Sequence, residues 1–307
     1  MSDGIPYLDG RRLRELVPIV VAVDVLEDAF RRADMVVPPR AHLPAGPGEL
    51  LVMPATGPAG TGVKLVTVNP SNPPERALIN GIYVLFDPSF LEPVLIVDGA
   101  AVTALRTPAV SAVATRALAP EDASRLVIFG AGIQATGHLD AMCTVLDITS
   151  VVVVARSIDS ANELVIRARD RGLEARAGSP DDVRTADVVC TCTSSTSPLF
   201  DGSLLPHGAH VNAIGAYKPH ARELDDRTIA RSTIVVEDKA SAASEAGDLV
   251  QPMESGLLDI RNVVELGDVL RDGRPYTPGK DVTVFKSVGL ASEDLAVVSA
   301  AFAAFED

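Results

Sequence analysis

Two patterns of apolar and polar positions run along the chain, and the change between them lies near Arg125. Before it, alternation dominates. Residues 62–68 read GVKLVTV, a β-branched stretch with the two-residue period of a half-buried strand. Residues 81–86 and 93–97 predict two more strands, joined through Asp87-Pro88-Ser89. Residues 35–60 are rich in Pro and Gly and predict short extended pieces between turns, while 69–75 (NPSNPPE) predicts a loop. Helical spacing predicts one helix over 13–32 and another over 109–119, which Pro120 should end. Strands without regular crossover helices predict an α+β domain with a mainly antiparallel sheet.

From Arg125 onward, strand and helix alternate. RLVIF (125–129), SVVVVA (150–155), 187–193, 210–214 and 233–237 predict buried strands. Helical stretches to about Leu146 and over 160–171 stand between them. This is the pattern of a doubly wound parallel sheet. The last apolar segment, 292–305, predicts an Ala-rich helix. The fold class is therefore α/β: a Rossmann doubly wound parallel sheet domain plus an α+β domain.

Composition narrows the function. The chain has 307 residues, enough for one or two domains, and 47% are hydrophobic. Its net charge of −14 disfavours nucleic acid and anionic membranes as partners. The start, MSDGIPYLDGRRL, has no apolar run of signal-peptide length, and the run 16–23 contains Pro18 and is cut by Asp24. A cytoplasmic protein without a membrane span is expected. Cys143, Cys190 and Cys192 have no zinc spacing, and His138, His207, His210 and His220 show no metal pattern, so no metal is expected and these side chains read as structural.

Residues 130–135 read Gly-Ala-Gly-Ile-Gln-Ala directly after a strand and at the start of a helix, the G-x-G-x-x-[G/A] pattern of a dinucleotide site. Gly130 permits the tight turn, Gly132 lets a pyrophosphate approach the backbone, and Ala135 lets the helix pack close to the strand. The helix N-terminus then faces the anion. After the second strand stand Arg156 and Ser157 rather than an acid, which favours NADP(H), with NAD(H) as the alternative.

GVKLVT (62–67), VTALRTPAVSAVAT (102–115), VIFGAGIQATGH (127–138), ADVVCTCTSS (186–195), GAHVNAIGA (208–216), RELD (222–225) and VTVFKSVGLASEDLA (282–296) occur in one order. Together they resemble the ornithine cyclodeaminase/μ-crystallin family. The resemblance implies a homodimer. It also implies a substrate-binding and dimerisation domain over 1–118 plus 284–307, and a Rossmann domain over 119–283. Lys64 and Arg106 match the family's catalytic lysine and arginine, and Arg40 resembles a second carboxylate-binding arginine. The resemblance further places Met53, Tyr217 and Gly289 at the substrate, and Ile133, Gln134, Thr191, Thr193 and Val288 at the dinucleotide. The chemistry is consistent: a guanidinium grips a planar carboxylate with two hydrogen bonds, and a nearby lysine polarises the substrate or moves a proton.

Two positions depart from the family's cyclodeaminases. Where those enzymes carry an aspartate in the segment GAYKPHAREL (215–224), this chain has Tyr217. Where they carry a glutamate two residues before the methionine of the MP pair, it has Leu51. Only Glu49, Glu223 or Asp225 would remain to replace the missing acids. The expected function is NAD(P)H-dependent reduction of an α-imino acid, such as pyrroline-2-carboxylate or piperideine-2-carboxylate, or the reverse amino-acid dehydrogenation. The alternatives are an ornithine or lysine cyclodeaminase that releases ammonia, and a crystallin-like small-ligand binder without turnover.

Overall fold

The computed structural model describes residues 4–73, 75–273 and 279–306. The chain divides into two compact units, residues 1–110 with 289–307 and residues 111–288.

The first unit holds β1 (Tyr7–Leu8), α1 (Gly10–Leu16), α2 (Ile19–Arg32), β2 (Ala41–Ala45), β3 (Gly48–Gly57), β4 (Gly60–Val68), β5 (Ile79–Phe86) and β6 (Pro93–Asp98). The single helix expected over 13–32 is two helices. Pro18 has no N–H to continue α1 and instead stands as the N-cap of α2, whose Ala22, Val23, Leu26 and Ala29 form one buried stripe. The strands form one sheet in the order β1-β6-β5-β4-β3-β2, antiparallel except for β1 with β6. Strand β3 is a continuous ten-residue strand where short pieces were expected, because all but its first residue pairs with β4, from Glu49↔Val68 to Gly57↔Gly60. The expected loop 69–75 includes Pro74, which lies outside the described residues.

Helix α3 (Gly99–Leu118) begins ten residues earlier than its sequence suggests. Asp98 caps it by accepting from Ala100 N and Ala101 N, and buried Val102 and Leu105 hold the turns ahead of the internal Pro108.

The second unit has an eight-stranded sheet. Its elements are β7 (Arg125–Phe129), α4 (Ile133–Val145), β8 (Ser150–Val154), α5 (Ile158–Asp170), β9 (Glu174–Ala177), β10 (Val188–Thr191), β11 (His210–Ala213), α6 (Asp226–Arg231), β12 (Ser232–Val236), α7 (Lys239–Glu245), α8 (Gly247–Glu254), β13 (Val264–Glu265), α9 (Leu266–Asp272) and β14 (Val282–Lys286). The strand order is β13-β12-β14-β11-β10-β7-β8-β9, parallel throughout. Its order reverses between β7 and β10, the switch point at which such sheets bind ligands.

Strand β14, last in sequence, sits between β11 and β12, with all five residues buried. The expected boundary at 283/284 would cut this strand, so the chain leaves the second unit only after Val288. The other expected boundary, at 118/119, falls at 110/111 inside the continuous α3. Helix α10 (Ala291–Glu306) then belongs to the first unit, where it packs on α1, α2 and the buried face of β3, β4 and β5.

Candidate active site

In the first unit, strand alternation turns Met53, Lys64, Tyr83 and Leu51 toward the face covered by α10. Register sets Lys64 directly opposite Met53 on one side and Tyr83 on the other, while Leu51 faces Val66. All of these side chains are buried. A lysine in such a place needs an anion, and α10 supplies it. Lys64 Nζ lies 2.8 Å from Asp294 Oδ1. The preceding residue, Glu293, accepts from Arg106 Nη1 at 2.8 Å, and Asp294 Oδ1 is also 3.4 Å from Arg106 Nε. Burial lowers the Lys64 pKa to about 8, with Asp294 opposing the shift and Arg106 adding to it. Burial, reinforced by Asp294, raises the Tyr83 phenol well above its ordinary value.

Gly289 joins this cluster through its backbone. Arg40 Nη2 donates to its carbonyl, and the Arg106 guanidinium lies against its Cα. A Cβ there would stand 2.2 Å from Arg106 Nη1, and the residue has φ of +77°. Only glycine fits both demands. The structure thus brings together Arg40, Met53, Lys64, Arg106 and Gly289. It adds Tyr83, Glu293 and Asp294, which sequence reasoning did not single out. The signal was present: Glu293-Asp294 is an acidic doublet opening an otherwise apolar, Ala-rich helix.

In the second unit, the glycine-rich turn lies after β7 at the switch point. Gly130 has φ of +103°, and a Cβ there would meet Cys192 O at 2.5 Å. Gly132 is the N-cap of α4 and would direct a Cβ into open space, the room a pyrophosphate needs against the backbone. Ala135 is fully buried, whereas Ile133 is exposed and Gln134 half-buried. His138 anchors the same helix: its ring bonds Gln134 O and Ser111 Oγ, and burial lowers its pKa to about 4. Arg156 is exposed and forms no hydrogen bond or ion pair among the described residues. Ser157 caps α5 by accepting from Ser160 N. These features fit a dinucleotide.

Thr191 and Thr193, expected at the dinucleotide, stand at the end of β10 and just beyond it. Both hydroxyls donate to Glu223, which also accepts from Thr193 N, Gly215 N and Ala216 N. Burial raises the Glu223 pKa, and Lys286 works against that shift. Glu223 therefore ties together the loops after β10 and β11. Val288 N donates to Glu237 Oε2 at 2.9 Å. Tyr217 is half-buried against the apolar core of this unit, with Lys218 Nζ 5.6 Å from its ring centroid.

The acids left to replace those of a cyclodeaminase are all engaged. Glu49 pairs with His42, Asp225 caps α6 and also accepts from Gly202 N, and Glu223 is the loop clamp. Among the described residues, no group of three or more His, Cys, Asp or Glu side chains forms a metal site, and no helix is long and apolar enough to cross a membrane.

Residues 11–305 match the ornithine cyclodeaminase/mu-crystallin family. The chain belongs to this family. A Δ1-pyrroline-2-carboxylate reductase of Bacillus cereus is 37% identical over 263 residues, covering 80% of this chain and 78% of that one. The structure of Thermococcus litoralis Δ1-pyrroline-2-carboxylate reductase in complex with NADH and L-proline superposes with a TM-score of 0.92 at 29% identity, over 97% of this chain and 96% of that one. An archaeal alanine dehydrogenase dimer with bound NAD also gives 0.92, at 28% identity over 98% and 95% of the two chains.

Proposed function

We propose that this family member reduces an α-imino acid to an amino acid with a nicotinamide cofactor, or runs the reverse dehydrogenation. Cyclic ketimines of the pyrroline-2-carboxylate and piperideine-2-carboxylate type are the leading substrates. The observation that carries this reading is the buried face of the first unit. There Lys64 and Arg106 stand beside apolar Leu51 and Met53. The cations suit one carboxylate. The apolar wall suits a hydrocarbon ring, and the acids on this face, Asp294 and Glu293, already pair with Lys64 and Arg106, so a second amino group would meet no acid of its own, at a cost of several kcal/mol.

Arg106, with Arg40 beside it on Gly289, holds the substrate carboxylate. Lys64 keeps a proton beside the imine nitrogen, which must gain one as its carbon is reduced. A bound nicotinamide supplies the hydride. Gly130, Gly132 and Ala135 shape the turn that receives the pyrophosphate, and the exposed Arg156 with Ser157 favours the 2′-phosphate of NADP(H).

The chain works as a homodimer in this reading. Leu50, Val52, Val63, Leu65, Ile82 and Val84 alternate with the inward set and leave a half-exposed apolar sheet face that a second copy would cover. Light scattering that reads a single chain would remove this part.

The test of function follows nicotinamide absorbance with Δ1-pyrroline-2-carboxylate and Δ1-piperideine-2-carboxylate, with NADPH and NADH in parallel. We expect NADPH consumption, and no appreciable ammonia from ornithine or lysine supplied with NAD. Sustained ammonia and proline formation from ornithine would overturn the reading in favour of a cyclodeaminase.

A further inference from the structure

Two cations of the first unit meet at one carboxylate oxygen. Asp294 Oδ1 is 2.8 Å from Lys64 Nζ and 3.4 Å from Arg106 Nε, and its side chain is fully buried. Nothing else among the described residues accepts a hydrogen bond from Lys64. The groups around this ammonium are Asp294 from α10, Arg106 from α3, Tyr83 from β5, Met53 from β3, and Arg40 from the segment ahead of β2. Two of these are cations that repel the lysine. Glu293 spends its charge on Arg106, with Oε1 accepting from Leu290 N. The charge that keeps Lys64 an ammonium therefore comes from Asp294.

We propose that Asp294 is a positioning residue: through one shared carboxylate oxygen it holds Lys64 protonated and aligned beside Arg106, ready to serve the imine nitrogen. The proposal rests on the imine-reductase reading above. Its chemistry is a proton transfer alone. Lys64 gives a proton to nitrogen as the neighbouring carbon is reduced, and regains one from water; Asp294 stays a carboxylate throughout.

The sign of the effect follows from the charges. Removing the carboxylate lowers the proton affinity of Lys64, because burial and two guanidinium groups then act unopposed. Imine reduction in the unmutated enzyme should fall as pH rises through about 8, the value of Lys64. In Asp294→Asn, which keeps the side-chain shape, that alkaline limb should move to lower pH by about one unit or more. In Asp294→Glu, which keeps the charge, the limb should stay near that of the unmutated enzyme even if kcat falls. Glu293→Gln, an equally buried lesion one residue away, should lower activity without moving the limb.

A second readout needs no turnover. The folded pKa of Lys64 lies below its unfolded one, so the protonated lysine costs stability at neutral pH, and the cost fades as pH rises above about 8. Asp294→Asn enlarges that cost. The Tm gap between this variant and the unmutated protein should be widest near pH 6 and narrow toward pH 9, whereas the Glu293→Gln gap should not narrow. If imines are reduced but neither the limb nor the Tm gap responds to Asp294→Asn, or if the Asp294→Glu limb moves as far as that of Asp294→Asn, the proposal fails and the reductase reading stands. If the unmutated protein reduces no imine, the reading fails, and the Tm gap alone still reports whether Asp294 controls Lys64.

Discussion

Each unit buries a lysine, and the two lysines are held in different ways. In the second unit, Lys286 ends β14 with its ammonium surrounded. It donates to Ala213 O and Ala216 O and lies 3.0 Å from Asp248 Oδ2. Asp248 in turn accepts from Glu223 N and Leu224 N, and Glu223 clamps two loops. An ammonium has three donors; two here end on fixed carbonyls, with a buried carboxylate beside them. Lys64 in the first unit has a single acceptor, Asp294, among the described residues, and two arginines nearby. Both side chains are equally out of water. A buried lysine held by two carbonyls and a carboxylate works as a structural tie. One with donors to spare, held next to other cations, is poised for a ligand that brings its own negative charge.

The largest expected effect breaks this comparison directly. Lys286→Met should destabilise the fold by about 3–5 kcal/mol, because it leaves Asp248 and Glu223 buried without their cation. Lys64→Met should abolish imine reduction and cost less stability, since Arg106 remains beside Asp294. Urea titrations of the two variants measure the difference; equal losses of stability would collapse the distinction.

A smaller effect sharpens the first-unit half. Gly289→Ala forces a Cβ against the Arg106 guanidinium at a positive φ. The strain is worth about 1–3 kcal/mol. It should appear mainly as a roughly tenfold or greater loss in kcat/KM, with NADPH affinity little changed. Unaltered kinetics would show that the guanidinium has room to move and that its place over Gly289 is not needed.

The smallest concerns the surface of the second unit. Arg156→Asp should weaken NADPH binding several-fold and leave NADH binding level or improved, because a carboxylate repels the 2′-phosphate and accepts from a ribose hydroxyl. Fluorescence titration of both cofactors reads it. Tighter NADH than NADPH binding in the unmutated protein would remove Arg156 from this role.

Local patterns carried much of this protein. The period-two run at 62–68 and the buried strand RLVIF became β4 and β7 at nearly the expected bounds, and the glycines at 130 and 132 stand in the turn their spacing implies. These features depend on neighbours a few residues away, where alternation and glycine freedom act directly. The ties that cross long stretches of chain needed the tertiary structure. The placement of β14 between β11 and β12 depends on strand pairing far along the chain, so a boundary drawn from sequence at 283/284 cut through it. The hydroxyls of Thr191 and Thr193 answer to Glu223 some 30 residues on. Asp294 lies 230 residues from Lys64. Sequence alone marked the lysine and the arginine as chemistry. Only the packing of α10 onto the sheet decided which carboxylates face them, because in a dry interior the partner of a charge is whatever the fold brings within about 3 Å.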